Sequence, residues 1–223
     1  MFIQNEPIIA ASLLLAAGVL GIVANGFVLY RIIVKKIFGK QFGRIWISRG
    51  VAYILFCSVF AFYLAPVLVT SEDFVFSLWG KRILHGMMSI CNAVLAHSFL
   101  IAINRCVLIA LPLRYKTIFS PVNTLIHISL CWIVTLALDM HGIYDPCHPT
   151  IVESDQPFIM GNPDCGWYEN IVQISVPTVL IFGTIFVDLI IVIIFCREIN
   201  KGLVHRSSTN KTSIRGCRSQ RIG

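Results

Sequence analysis

Residues 171–196 read IVQISVPTVLIFGTIFVDLIIVIIFC, a stretch whose only charged side chain is Asp188. Such a run is long enough to cross the roughly 30 Å hydrocarbon core of a bilayer. In lipid every backbone donor and acceptor must find its partner within the segment, so the run reads as a spanning helix. Working outward, four more apolar runs occur, at about 8–34, 45–70, 83–113 and 122–143. The first is interrupted by Asn25 and Arg31, and the fourth is weakened by His127 and Asp139. The expected fold is therefore an all-α membrane protein with five spanning helices.

Composition agrees. Of 223 residues, 57% are hydrophobic and 13% charged, where a soluble domain carries about 25% charge. A mean hydropathy of +0.80 leaves too little charge to cover a soluble surface and far too much apolar content for disorder. The first run lacks a preceding basic residue, has Glu6 in its flank and outlasts a signal-peptide core, so it reads as an uncleaved anchor.

The net charge of +7 clusters beside the apolar runs and does not form a stripe for nucleic acid. Arg31, Lys35, Lys36, Lys40, Arg44 and Arg49 lie between the first two helices. Arg114 and Lys116 follow the third, and Arg197, Lys201, Arg206, Lys211, Arg215, Arg218 and Arg221 follow the fifth. Glu6, Glu72, Asp73, Asp145, Glu153, Asp155, Asp164 and Glu169 sit on the other side, against Lys81 and Arg82. The asymmetry predicts a multi-pass protein of the plasma membrane with its N-terminus outside and its C-terminus in the cytosol. Residues 1–198 form the membrane domain. The basic tail 199–223 cannot bury a core and is expected to be disordered or drawn weakly to anionic headgroups.

Most cysteines lie within apolar helices, where a small buried hydrophobe suffices. Cys147 and Cys165 instead share the long outer loop, an oxidising setting that favours a disulfide. Closing that loop would stabilise it by roughly 3 kcal/mol in the chain-entropy model. Two free thiols, or a zinc site with His141 or His148, are the alternatives.

The third helix ends Asn104-Arg105-Cys106-Val107-Leu108-Ile109-Ala110-Leu111-Pro112-Leu113-Arg114-Tyr115. A lone arginine there could simply snorkel to the interface. With Ile109, Pro112, Leu113 and Tyr115 behind it, however, the string resembles the Asp-Arg-Tyr-x-x-Ile-x-x-Pro-Leu-x-Tyr ending of the third helix in rhodopsin-like G-protein-coupled receptors. Asn25 with Val28, Trp132, Pro177 and Trp79 in the first outer loop are similar to further features of those receptors. The strings Ala102-Ile103-Asn104-Arg105 and Ile118-Phe119-Ser120 resemble the nematode serpentine chemoreceptors of the Srx type. That type also carries a cysteine pair within the second outer loop, as Cys147 and Cys165 would be. Cys91 lies too deep to stand for the usual cysteine at the outer start of the third helix.

The sequence departs from the pattern in places. Asn104 stands where the receptors have an acid, so the usual ion pair within the third helix is unavailable. The second helix has no aspartate for an internal sodium ion. Asp188 could pair with a cation or face water near the inner interface. Five of seven helices are present, so the resemblance implies a partial seven-transmembrane bundle, whether an incomplete gene product, a short isoform or a decayed copy.

What the resemblance implies is chemoreception. A small external ligand would shift the helices toward a state that binds a heterotrimeric G protein, with Arg105, Asn104, Pro112 and Tyr115 at the coupling end. His85, Met88 or Ser89, and Asn92 recur at helical spacing above the arginine and are candidates for the ligand pocket, although ordinary packing also explains them. No catalytic set, metal spacing or phosphate loop is present, and no cofactor is expected; the partners are ligand, G protein and lipid. The alternatives are a non-signalling chain that pairs with full-length receptors, and a small multipass transporter subunit.

Overall fold

The computed structural model describes residues 6–70, 78–144, 150–151, 159–160 and 170–219. Helix α1 spans Glu6–Lys35. Helix α2 begins as Lys40–Val59, passes through one wide turn of π-helix at Phe60–Leu64 and finishes as Ala65–Thr70. Then come α3 (Leu78–Ala110), a short α4 (Pro112–Ile118) and α5 (Pro121–Tyr144). A second wide turn, Asn170–Ser175, leads into α6 (Val176–Ser219). Two short strands, Thr150–Ile151 and Ile159–Met160, pair antiparallel, with Thr150 opposite Met160. Among the described residues five helices are long and apolar enough to cross a bilayer, and the all-α membrane fold stands. Cys147 and Cys165 lie outside the described residues.

Prolines set most of the boundaries. Pro66 and Pro177 each lack an N–H and would press on the carbonyl four residues earlier, Phe62 or Gln173. Both of those carbonyls fall within the wide turns, which make the room an α-turn does not have. The third helix ends at Ala110 and does not reach 113, because the residue before a proline is driven out of the α region. Leu111 accordingly adopts φ −132°, ψ 57°. Pro112 then starts α4 and Pro121 starts α5, each at a position where a missing N–H costs nothing. Ser120 caps the second of these, accepting the Asn123 N–H at 3.2 Å.

Three further expectations are corrected. Helix α2 begins at Lys40 instead of 45, which carries Lys40 and Arg44 out of the loop and into the helix, where Arg49 also lies. Trp79 belongs to the first turn of α3 and not to a loop. Helix α6 runs without a break from the fifth span into the basic residues beyond it, which puts Lys201 and Arg206 in a helix and not in a separate segment.

The bundle has a basic end, formed by the C-termini of α1 and α3 and the N-termini of α2 and α5. At its centre α3 touches α2, α5 and α6, while α1 packs on α2. The α1–α2 seam closes on small residues, as seams in lipid do. A Cβ on Gly18 would lie 2.8 Å from both the Ala61 Cβ and the Cys57 carbonyl oxygen. Backbone cannot yield as a side chain can, so Gly18→Leu is expected to cost about 1–3 kcal/mol. A drop in melting temperature in nanodiscs would show it; an unchanged value would mean that α1 does not depend on this seam.

At the basic end Phe119 is 1% exposed and packs with Ile45, Leu100 and Ile101. Phe42, Trp46, Ile118 and Tyr115 close around them. The α4 segment is thus a lid whose C-capping residue, Phe119, plugs the bundle.

Candidate functional site

The motif residues gather where α3 leaves the bundle. Arg105 reaches across to α6, its guanidinium 3.1 Å from Asp188 Oδ1. This is the only salt bridge among the described residues, and it assigns the partner the sequence left open for Asp188. The side chains are 47% and 43% exposed, so the pair lies open at the surface of the bundle. An ion pair so open contributes at most about 1 kcal/mol in water. Its effect is to fix α3 against α6 more than to hold the fold.

Asn104 turns the other way and is fully buried. Its Oδ1 accepts a hydrogen bond from the Tyr115 hydroxyl at 3.4 Å, while its Nδ2 has no partner among the described residues. Tyr115 stacks on Phe119 at 5.6 Å, and Phe119 meets His127 at 5.4 Å. Asn104 therefore ties α3 to the α4 lid, in place of the acid that would have paired with the neighbouring arginine. Pro112 is exposed at the start of that lid.

Seven residues before Asn104, a second polar chain crosses the bundle. His97, 0% exposed, has Nδ1 2.7 Å from the Ala93 carbonyl and Nε2 2.9 Å from Ser48 Oγ. A carbonyl can only accept, so Nδ1 carries the proton and Nε2 accepts from the Ser48 hydroxyl. Ser48 Oγ in turn accepts the Trp132 indole N–H at 3.0 Å. One histidine thus joins α2, α3 and α5, with both ring nitrogens satisfied. Trp132, singled out in the sequence, owes its position to this chain. His97 was passed over there because its partners are a serine and a tryptophan, residues that spell no metal or catalytic motif.

The other motif residues act locally. Asn25 Nδ2 donates to the Gly21 carbonyl at 2.8 Å within its own helix. Trp79 is largely exposed, with the Arg82 guanidinium 5.5 Å from its ring centroid. Pro177 sits at the exit of the second wide turn.

Farther along α3 from the basic end, His85, Ser89 and Asn92 are buried together on one face and Met88 is half-buried. Ser89 Oγ and both polar atoms of the Asn92 amide have no hydrogen-bond partner among the described residues. A buried amide left unmatched costs about 1–3 kcal/mol, so this face suits a polar group supplied from elsewhere. A cavity of about 320 Å³ between α3, α5 and α6 is not that place. Ala96, Phe99, Val134 and Leu180 line it, and His85, Met88 and Asn92 do not.

Among the described residues the central helix thus carries an arginine paired across the bundle at one end and unmatched polar groups toward the other. The sequence pattern of the family described as "Serpentine type 7TM GPCR chemoreceptor Srx" matches residues 15–221, and the chain belongs to that family. Comparison with curated proteins finds no match.

Proposed function

We propose that the chain acts as a chemosensory receptor, binding a small external ligand and signalling through a heterotrimeric G protein at its basic end. The observation that carries this reading is the Arg105–Asp188 pair. It links the arginine of the third-helix motif to a second spanning helix, so relative movement of α3 and α6 would make or break the contact. Charge asymmetry supports a topology with the basic end in the cytosol of the cell and the N-terminus outside. The unmatched groups of Ser89 and Asn92 support a ligand that both donates and accepts hydrogen bonds, taken up on the outer half of α3.

Arg105→Ala is expected to insert normally and to abolish coupling. Asp188→Asn is expected to raise basal coupling, by up to about 5-fold for a pair worth at most about 1 kcal/mol. A G-protein reporter in cells, normalised to surface expression, reads both. Full coupling by the Arg105→Ala variant would remove Arg105 from this role.

A further inference from the structure

Arg49 lies well inside the span that begins at Lys40, and it faces α3. Its Nε–H donates to Ser98 Oγ at 3.1 Å, and one terminal nitrogen donates to the Tyr53 hydroxyl at 3.3 Å. The guanidinium carbon sits 5.1 Å from the Trp46 ring and 4.9 Å from the Tyr53 ring. Both hydrogen bonds are to neutral groups. No carboxylate pairs with Arg49 among the described residues, since Asp188 is engaged by Arg105.

Arginine does not lose its proton in proteins, so a full positive charge stands half-buried within the span, offset in part by the two ring faces and with no opposite charge beside it among the described residues. The guanidinium lies between Trp46, one turn nearer the basic end, and Tyr53, one turn farther from it.

The surroundings offer donors and lack acceptors. Two of the guanidinium's five N–H groups are used, which leaves three. Tyr53, accepting from Arg49, keeps its own hydroxyl proton to give. Ser98 is saturated, since it accepts from Arg49 and donates to the Val94 carbonyl at 2.8 Å. Trp46, beneath the guanidinium, has its indole N–H buried without an acceptor. The ring faces, negative in their quadrupole, hold the cation; the guanidinium's three unused N–H groups, the Tyr53 hydroxyl proton and the orphaned Trp46 indole N–H are what the site offers an anion. With one formal charge to balance, the anion is monovalent and small.

We propose that Arg49, Tyr53 and Trp46 form an intramembrane site for a small inorganic anion, chloride in the cell, that neutralises Arg49 and couples α2 to α3. The site is separate from both the Arg105 end and the Asn92 face, so it does not depend on the receptor reading above.

The test uses the full chain in phosphatidylcholine nanodiscs at constant ionic strength. Replacing gluconate with about 100 mM chloride should raise the melting temperature by roughly 3 °C or more, as a native-state ligand bound about tenfold above its Kd does. Bromide should quench a part of the tryptophan emission saturably, and Trp46→Phe should remove that part. Tyr53→Phe keeps the ring and removes the donor; half-saturation should move to several-fold higher halide. Arg49→Gln should abolish the chloride effect, and if that variant does not fold, Tyr53→Phe still decides. Equal melting temperatures in the two salts together with linear quenching would overturn the proposal. Chloride dependence undiminished in Tyr53→Phe would do the same, as would stabilisation by anionic lipid with none by chloride.

Discussion

Phe119→Ala is expected to destabilise the bundle by about 3–5 kcal/mol, the range for deleting a fully buried aromatic side chain. The ring is 1% exposed and belongs to the cluster that seals the basic end, with Ile45, Leu100 and Ile101. It also carries the stack from Tyr115 and the contact with His127. Its removal opens a cavity beneath α4 and takes away the surface on which Tyr115 rests, so the Tyr115–Asn104 hydrogen bond should weaken with it. Melting in nanodiscs would register the loss. Protease cleavage within 112–118 should rise in parallel, because α4 is held down chiefly by this residue. Phe119→Leu restores most of the apolar volume and should recover more than half of the stability. If the alanine variant melts within a degree of the parent, the α4 lid is not part of the cooperative unit.

The second large effect is expected at His97. His97→Leu keeps the volume and deletes two hydrogen bonds at once. The Ser48 hydroxyl loses its acceptor, and the Ala93 carbonyl loses the ring N–H. Stranding buried polar groups in this way costs about 1–3 kcal/mol. Because Ser48 also holds the Trp132 indole, the three residues should behave as a unit. Ser48→Ala with His97→Leu should cost less than the sum of the single changes, by 0.5 kcal/mol or more. Additive losses would show that the chain of contacts carries no shared energy.

Different features of the molecule were open to sequence reasoning to different degrees. The five spans were legible because length and apolarity are one-dimensional properties, and the solvent that selects for them is uniform. The Asn104–Tyr115 string was legible because its members are neighbours along the chain. The Arg105–Asp188 pair was not, since 83 residues separate its members and no periodicity relates α3 to α6. Arg49 was misread for another reason. Counting basic residues to orient a membrane protein treats each as a loop charge, and Arg49 was counted that way. The signal that could have placed it is local: Trp46 and Tyr53 flank it at i−3 and i+4, aromatic faces on the same stripe of a helix. His97 and Asn92 share a limitation of the same kind, since a buried polar group is defined by what it lacks or finds across the bundle.

The wide turn at Phe60–Leu64 has a consequence for deletions. Relative to an unbroken α-helix it holds one residue too many, so the two halves of α2 are out of phase by about 100°, the angle one residue subtends. Cys57 and Ala61 meet Gly18 from one phase. Tyr63 delivers its hydroxyl to the Gly80 carbonyl, 3.0 Å away, as the other phase begins. Removing a single residue within 60–64 would therefore restore a regular helix while swinging everything from Ala65 to Thr70 around its axis. Such a shortened chain would span the bilayer as before and lose the junction between the second and third spans, an injury of angle and not of length.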